Sequence, residues 1–228
     1  KMADYKEMIG KFVLKYLVVP KAPKVEKDKI RIACIGDSIT YGAGVVGKNY
    51  KHSTWEYFLQ QKLGDDYQVL NYGISGRTLQ NEGDYPYRKE KFYRITHRIQ
   101  AEIYIIMLGT NDAKPYNWDF KRYRDQFRRF VAGYKKHSNQ PKIYIMAPSK
   151  CFVDESIGKV GYDILNENIE RKIHPFILDY ARQTGTECID LYELSENHPE
   201  WFDDGVHPNA KGNEAFAQCI FEHIDWER

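Results

Sequence analysis

Four short blocks carry the residue types of acyl-transfer chemistry. They are Gly36-Asp37-Ser38-Ile39-Thr40, Ile74-Ser75-Gly76-Arg77-Thr78, Gly109-Thr110-Asn111-Asp112 and Asp204-Gly205-Val206-His207-Pro208. A serine hydroxyl is a poor nucleophile until a base takes its proton. His207 is the candidate base, and an aspartate three residues before it lets one short loop hold a carboxylate against the imidazole and fix its tautomer. Asp203 offers a second carboxylate, and spacing alone does not separate it from Asp204. If Ser38 opens a helix directly after a strand, its own N–H and the positive end of that helix face the same small volume. The Gly76 N–H and the Asn111 side-chain amide would complete an oxyanion hole there. Glycine at 76 leaves an approaching carbonyl uncrowded. Asp37 reads as a cap of its turn and Asp112 as a brace, neither with a catalytic role.

These blocks are useful only if the chain folds them together. Five apolar runs, 30–35, 68–72, 103–108, 142–147 and 187–191, are rich in Ile, Val and Tyr and mostly do not alternate. Such runs predict strands covered on both faces. Helical periodicity predicts helices over 53–63, 119–136, 163–184 and 209–224, with Pro175 a candidate kink. Strand–helix alternation means a parallel sheet with right-handed crossovers, hence a three-layer α/β/α domain. Ligands of such sheets lie beyond the carboxyl ends of the strands, where strand order reverses. Ser38, Gly76 and Asn111 each follow one of the first three strands, and His207 lies just before the last helix. Residues 1–29, with seven spaced lysines between 6 and 29, predict an N-terminal helix or arm followed by an extended linker; 30–228 read as the catalytic domain.

Composition excludes several classes. Lys plus Arg number 34 and Asp plus Glu 32, so the net charge of +2 gives no global field for a polyanion, and no nucleic-acid partner is expected. The longest early apolar run, 12–20, is broken by Lys15 and is too short to span a bilayer, so no membrane association is expected, and no signal peptide is visible. Cys34, Cys151, Cys188 and Cys219 are far apart and form no zinc-ligand spacing. Free thiols fit a cytoplasmic protein, although four cysteines could also make two bridges outside the cell. His198, Asp203, Asp204 and His207 form no strong metal-ligand pattern. The oligomeric state is not written in the sequence.

Taken in order, the GDS, I-S-G-x-T, G-T-N-D and D-x-x-H-P blocks resemble those of the SGNH hydrolases, also called GDSL esterases, over roughly residues 30 to 224. The resemblance maps the family's Ser, Gly, Asn and His onto Ser38, Gly76, Asn111 and His207, and its acid onto Asp204. Ile39 stands where the common spelling has Leu, a chemically silent change. The resemblance implies a flavodoxin-like sheet of order 2-1-3-4-5. It also implies ester hydrolysis through an acyl-serine, without a metal or other cofactor.

The stretch 109–118 and the pieces Gly76-Arg77-Thr78 and Gly83-Asp84-Tyr85-Pro86-Tyr87 are similar to a subset of that family acting as carbohydrate or sialate O-acetylesterases. Arg77, Tyr85, Tyr87, Lys114 and Trp118 are therefore expected substrate contacts: aromatic faces for a sugar ring, cations for hydroxyls or a carboxylate. The expected partner is a small-molecule or glycan ester carrying a short acyl group, most simply acetyl. A lysophospholipase or thioesterase with the same residues is the alternative, disfavoured by the absence of a long apolar lid. A flavodoxin-like binding module without catalysis is the reading from another class.

Overall fold

The computed structural model describes residues 19–45 and 52–226; the expected N-terminal helix lies outside them. Five strands, β1 (Ile30–Gly36), β2 (Tyr67–Gly73), β3 (Ile103–Met107), β4 (Lys142–Ala147) and β5 (Glu187–Asp190), form one sheet of order β2-β1-β3-β4-β5. Every pairing is parallel, with Gly36 level with Gly73 on one side and Met107 on the other. The chain order therefore reverses at β1, between β2 and β3, as the resemblance implies.

Alternate side chains of the sheet feed two separate cores, which is why the strands are apolar on both faces. Ala33, Ile35, Leu70, Tyr72, Tyr104 and Ile106 pack on one face against helices α3 (Lys91–Ile99), α4 (Phe120–Lys135) and α5 (His174–Thr184). Ile32, Cys34, Ile105, Met107, Met146 and Ile189 pack on the other against α2 (Trp55–Leu63), α6 (Leu191–Ser195) and α7 (Ala210–His223). Three predicted helices begin one or two residues late because the first polar residue is the cap. Thr54, Asp119 and Asn209 each accept a helix N–H with a side-chain oxygen. Such a cap is worth about 1 kcal/mol.

Two elements differ from expectation. Helix α3 is missing from the expected helices although Phe92, Ile95, Thr96 and Ile99 recur at helical spacing; the segment is highly charged, and only Phe92 and Thr96 are fully buried. The helix expected over 163–184 begins instead at a turn over Asn166–Asn168, widens into a π-helical turn over Ile169–Ile173 and continues as α5. Pro175 accounts for the widening. Its ring would strike the carbonyl four residues back in a regular α-turn, and the His174 N–H donates to Ile169 five residues back instead.

The described part of the linker, from residue 19, is extended. It is tied to β2 by the Glu26 N–H donating to Gln68 and the Gln68 amide donating to the Lys24 carbonyl. All four cysteines are free. Among the described residues no helix is long and apolar enough to cross a membrane.

Candidate active site

The carboxyl end of β1 runs straight into a one-turn helix, α1 (Ser38–Tyr41). Asp37 caps it, accepting the Ile39 N–H at 3.0 Å, so Ser38 occupies the first helical position. The second block lies at the end of β2, where Gly76 takes a left-handed φ of +79°. The third follows β3. The fourth is the loop before α7, and it turns at Gly205 (φ +76°), where a Cβ would run into the Phe152 carbonyl.

These turns bring the predicted residues together. Ser38 Oγ lies 2.9 Å from His207 Nε2, and His207 Nδ1 lies 2.6 Å from Asp204 Oδ2. Asp204 Oδ1 accepts the backbone N–H groups of Val206 (2.9 Å) and His207 (2.7 Å), so the loop holds the carboxylate in place. Burial pushes the Asp204 carboxyl up, but the His207 ring, its charge and these two N–H groups outweigh burial and hold it well below the usual carboxylate range. The geometry also separates the two candidate aspartates: Asp203 accepts from Asn209 and stays outside this relay.

Around Ser38 three donors lie on different strand ends. The N–H groups of Ser38 and Gly76 have no acceptor among the described residues. Asn111 is 5% exposed, and its amide makes two long bonds, to the Arg77 carbonyl at 3.2 Å and to Asp37 Oδ2 at 3.4 Å. Asn117 anchors the Asn111 turn by donating to its carbonyl at 2.9 Å. Asp112 is a brace, accepting the N–H groups of Leu79 and Gln80 at 2.9 Å each and so fixing the segment beyond Gly76. Burial pushes both Asp37 and Asp112 up to about 6.

The expected substrate contacts fare less well. Arg77 is wholly buried: it pairs with Glu90 at 2.9 Å and donates to the Ser75 carbonyl, so it shapes the Gly76 turn from within and cannot meet a substrate. Tyr87 is also wholly buried, with its hydroxyl donating to the Tyr72 carbonyl. Tyr85 lies half-buried with the Arg77 guanidinium 5.6 Å from its ring centre. Trp118 stacks on Phe120 and is half-buried against the core. Lys114 is 8% exposed, and its charge acts on Asp37, within the Ser38 corner. One residue that sequence reasoning missed joins the relay: Tyr162, from the turn Gly161–Asp163, donates its hydroxyl to Asp204 Oδ2 at 2.9 Å. Its segment reads as the start of a helix, and the glycines at 158 and 161 were the signal that it is a loop.

A three-layer α/β sheet with a hydrogen-bonded Ser–His–Asp series and unpaired N–H groups at the carboxyl ends of its strands is the arrangement that acyl transfer to a serine requires. The chain belongs to the GDSL-like lipase/acylhydrolase family, whose model matches residues 34–215. It is 33% identical over 218 residues to an acetylxylan esterase from Xylanibacter ruminicola, covering 87% of this chain but only 44% of that protein. The chain thus spans less than half the length of that curated relative. Among solved structures it is similar to a carbohydrate acetylesterase from Sinorhizobium meliloti (TM-score 0.66, 20% identity, 85% of this chain and 97% of that one). An aryl esterase from M. smegmatis is similar to the same degree (TM-score 0.65, 20% identity, 85% and 99%). At these identities the two structures speak for the fold.

Proposed function

We propose that the protein is a serine esterase that removes short acyl groups, acetyl first among them, from carbohydrate esters. The observation that carries this reading is the unbroken hydrogen-bonded series from Ser38 Oγ through His207 to Asp204 at the strand ends. The acetylxylan esterase relative supports the carbohydrate and the acetyl group.

In the reaction, Ser38 Oγ attacks the ester carbonyl while His207 Nε2 takes its proton. Asp204 holds the tautomer with Nδ1 protonated and stabilises the imidazolium that forms. The carbonyl oxygen becomes an oxyanion among the Ser38 and Gly76 N–H groups and the Asn111 amide, which exchanges its long bond to Asp37 for one to the substrate. The tetrahedral intermediate collapses, the sugar hydroxyl leaves with the proton from His207, and an acetyl-serine remains. Water then attacks that ester with His207 again as base, releasing acetate and restoring Ser38.

The test is hydrolysis of 4-nitrophenyl acetate and acetate release from a panel of acetylated xylan, chitooligosaccharide and sialic acid. Wild type turns over the nitrophenyl ester and Ser38→Ala does not; a Ser38→Ala variant with near-normal rate refutes the reading. The panel then ranks the sugars, with acetylxylan expected first.

A further inference from the structure

Tyr162 combines three features that ordinary loop packing does not require. It is 56% exposed, it holds a left-handed backbone (φ 60°, ψ 23°) that bulky residues rarely adopt, and Asp163 beside it does the same (φ 58°). Strain of this kind persists where surrounding contacts over-determine it and clusters at functional sites. The contacts that hold it point one way. The hydroxyl makes its hydrogen bond to the same Asp204 oxygen that His207 Nδ1 uses, and the ring stands edge-on to the imidazole at 4.9 Å, tilted 77°.

Asp204 has two oxygens to satisfy. Oδ1 is filled by the two backbone N–H groups of its own loop. Oδ2 faces His207 on one side, while the carboxylate remains about one-third exposed. The Tyr162 hydroxyl takes the remaining lone-pair direction, where water would otherwise bind. The other ionisable groups acting on this corner include Asp37 on the Ser38 side with Asp112 and Lys114 beside it, Cys151 near Asp204 and Asp154 near Tyr162. None of them donates a hydrogen bond to Oδ2.

We propose that Tyr162 is a positioning residue of the relay, closing the solvent side of the His207–Asp204 pair with its hydroxyl on Oδ2 and its ring against the imidazole. The proposal rests on the esterase reading and deepens it. The sign of its effect follows from charge. A hydroxyl donated to Oδ2 draws negative charge away from the imidazolium; without it the carboxylate holds the imidazole proton more strongly. The base is then set free only at higher pH, and it is held less firmly in line with Ser38.

The experiment compares wild type, Tyr162→Phe, Tyr162→Ala and Ser38→Ala on 4-nitrophenyl acetate across pH, with thermal unfolding as the check on folding. Tyr162→Phe keeps the ring and loses one hydrogen bond to a charged group on an exposed turn, which at the low end for such bonds lowers kcat about ten-fold. KM stays unchanged within about two-fold, because the hydroxyl touches no substrate. The acid limb of kcat/KM moves to higher pH, and Tyr162→Ala, which also bares the imidazole, loses more. Since the ring lies on an exposed turn, both variants unfold with wild type. Wild type without turnover, or Ser38→Ala retaining it, sinks the esterase reading itself. An active wild type, a dead Ser38→Ala and a Tyr162→Phe profile superimposed on wild type sink this proposal alone.

Discussion

Ser38 and Asn111 illustrate how little a residue type says without its neighbours. A serine behind an aspartate is an ordinary helix cap, and an asparagine after a glycine and threonine an ordinary turn residue. Each becomes a candidate for chemistry through partners distant in sequence: His207 for Ser38, and the Arg77 carbonyl with Asp37 for Asn111. Asn111→Ala removes one oxyanion donor and is expected to lower kcat by about 10²–10³ with little change in KM. Steady-state kinetics on the nitrophenyl ester measure it, and a loss confined to KM contradicts the role. Arg77 makes the opposite point. A cation beside the reacting glycine looks like a substrate contact, but its charge is spent on Glu90 beneath the turn. Arg77→Ala is therefore expected to cost stability, about 3 kcal/mol for breaking a buried pair. Urea unfolding reads that loss, whereas a raised KM at wild-type stability would restore Arg77 to the substrate. The four blocks were legible because their residue types are chemically specific. The fate of Arg77 and Tyr87 was not, because burial of a polar side chain depends on partners that no local pattern announces.

Among the elements, the strands and three of the helices stand out by periodicity and caps, whereas α3 does so only by Phe92, Ile95, Thr96 and Ile99 on one face of a highly charged segment. That helix is held by side chains of mixed character. His97 stacks on Tyr134 of α4 with ring centres 4.1 Å apart, and its Nδ1 lies 2.8 Å from Nε2 of His137, just beyond the end of α4. The Tyr134 hydroxyl bonds Thr96, and Tyr104 of β3 lies against the same group. Polar aromatic packing of this kind leaves few apolar residues in the segment, although those few keep the helical spacing. It also makes the α3–α4 contact sensitive to acid. Burial first, then the charges of His137 and Arg88, hold His97 down at about 4, and burial lowers His137 as well. An unfolded histidine titrates at about 6.5. Between those two values the unfolded chain binds the extra proton, so His97 contributes stability at neutral pH that is lost as pH falls from about 6.5 toward 4. Asp37 and Asp112, both raised to about 6, act in the opposite sense over much of that window. Their effect is common to any variant of His97, so it cancels in a difference. The urea midpoint of wild type minus that of His97→Gln is expected to shrink as pH is lowered through this window. A difference independent of pH would mean that His97 carries no proton-linked stability.

At the scale of the whole molecule, the sheet has two edges of different character. At the amino ends of the strands lies an open cleft of about 570 Å³, lined by Lys27, Asp28, Tyr67, Glu102, Lys142 and Trp226, none of which belongs to the relay. The carboxyl ends carry Ser38, Gly76 and Asn111. That polarity was legible from strand–helix alternation alone, since parallel sheets gather their loops at one edge. The packing behind Ser38 was not, because it is set by how closely backbones approach. Here they approach closely. A Cβ at Gly73 would strike the backbone of Thr40 and Tyr41, and one at Gly36 would strike the Thr40 side chain and the Met107 carbonyl. Helix α1 is thus seated directly on the ends of β1 and β2, and among the described residues backbone fills the space between that helix and the sheet. An acetyl group needs little room beyond the reacting carbonyl, whereas an octanoyl chain gains the roughly 0.8 kcal/mol per methylene only where it is enclosed. The near-balanced charge, 34 basic against 32 acidic residues, gives no long-range attraction that would favour an anionic lipid surface over a neutral glycan. Accordingly, kcat/KM is expected to fall from 4-nitrophenyl acetate through butyrate to octanoate. A profile that instead rises with chain length would show that the alkyl chain finds an apolar groove, and would transfer the same serine chemistry from acetylated sugar to lipid or thioester substrates.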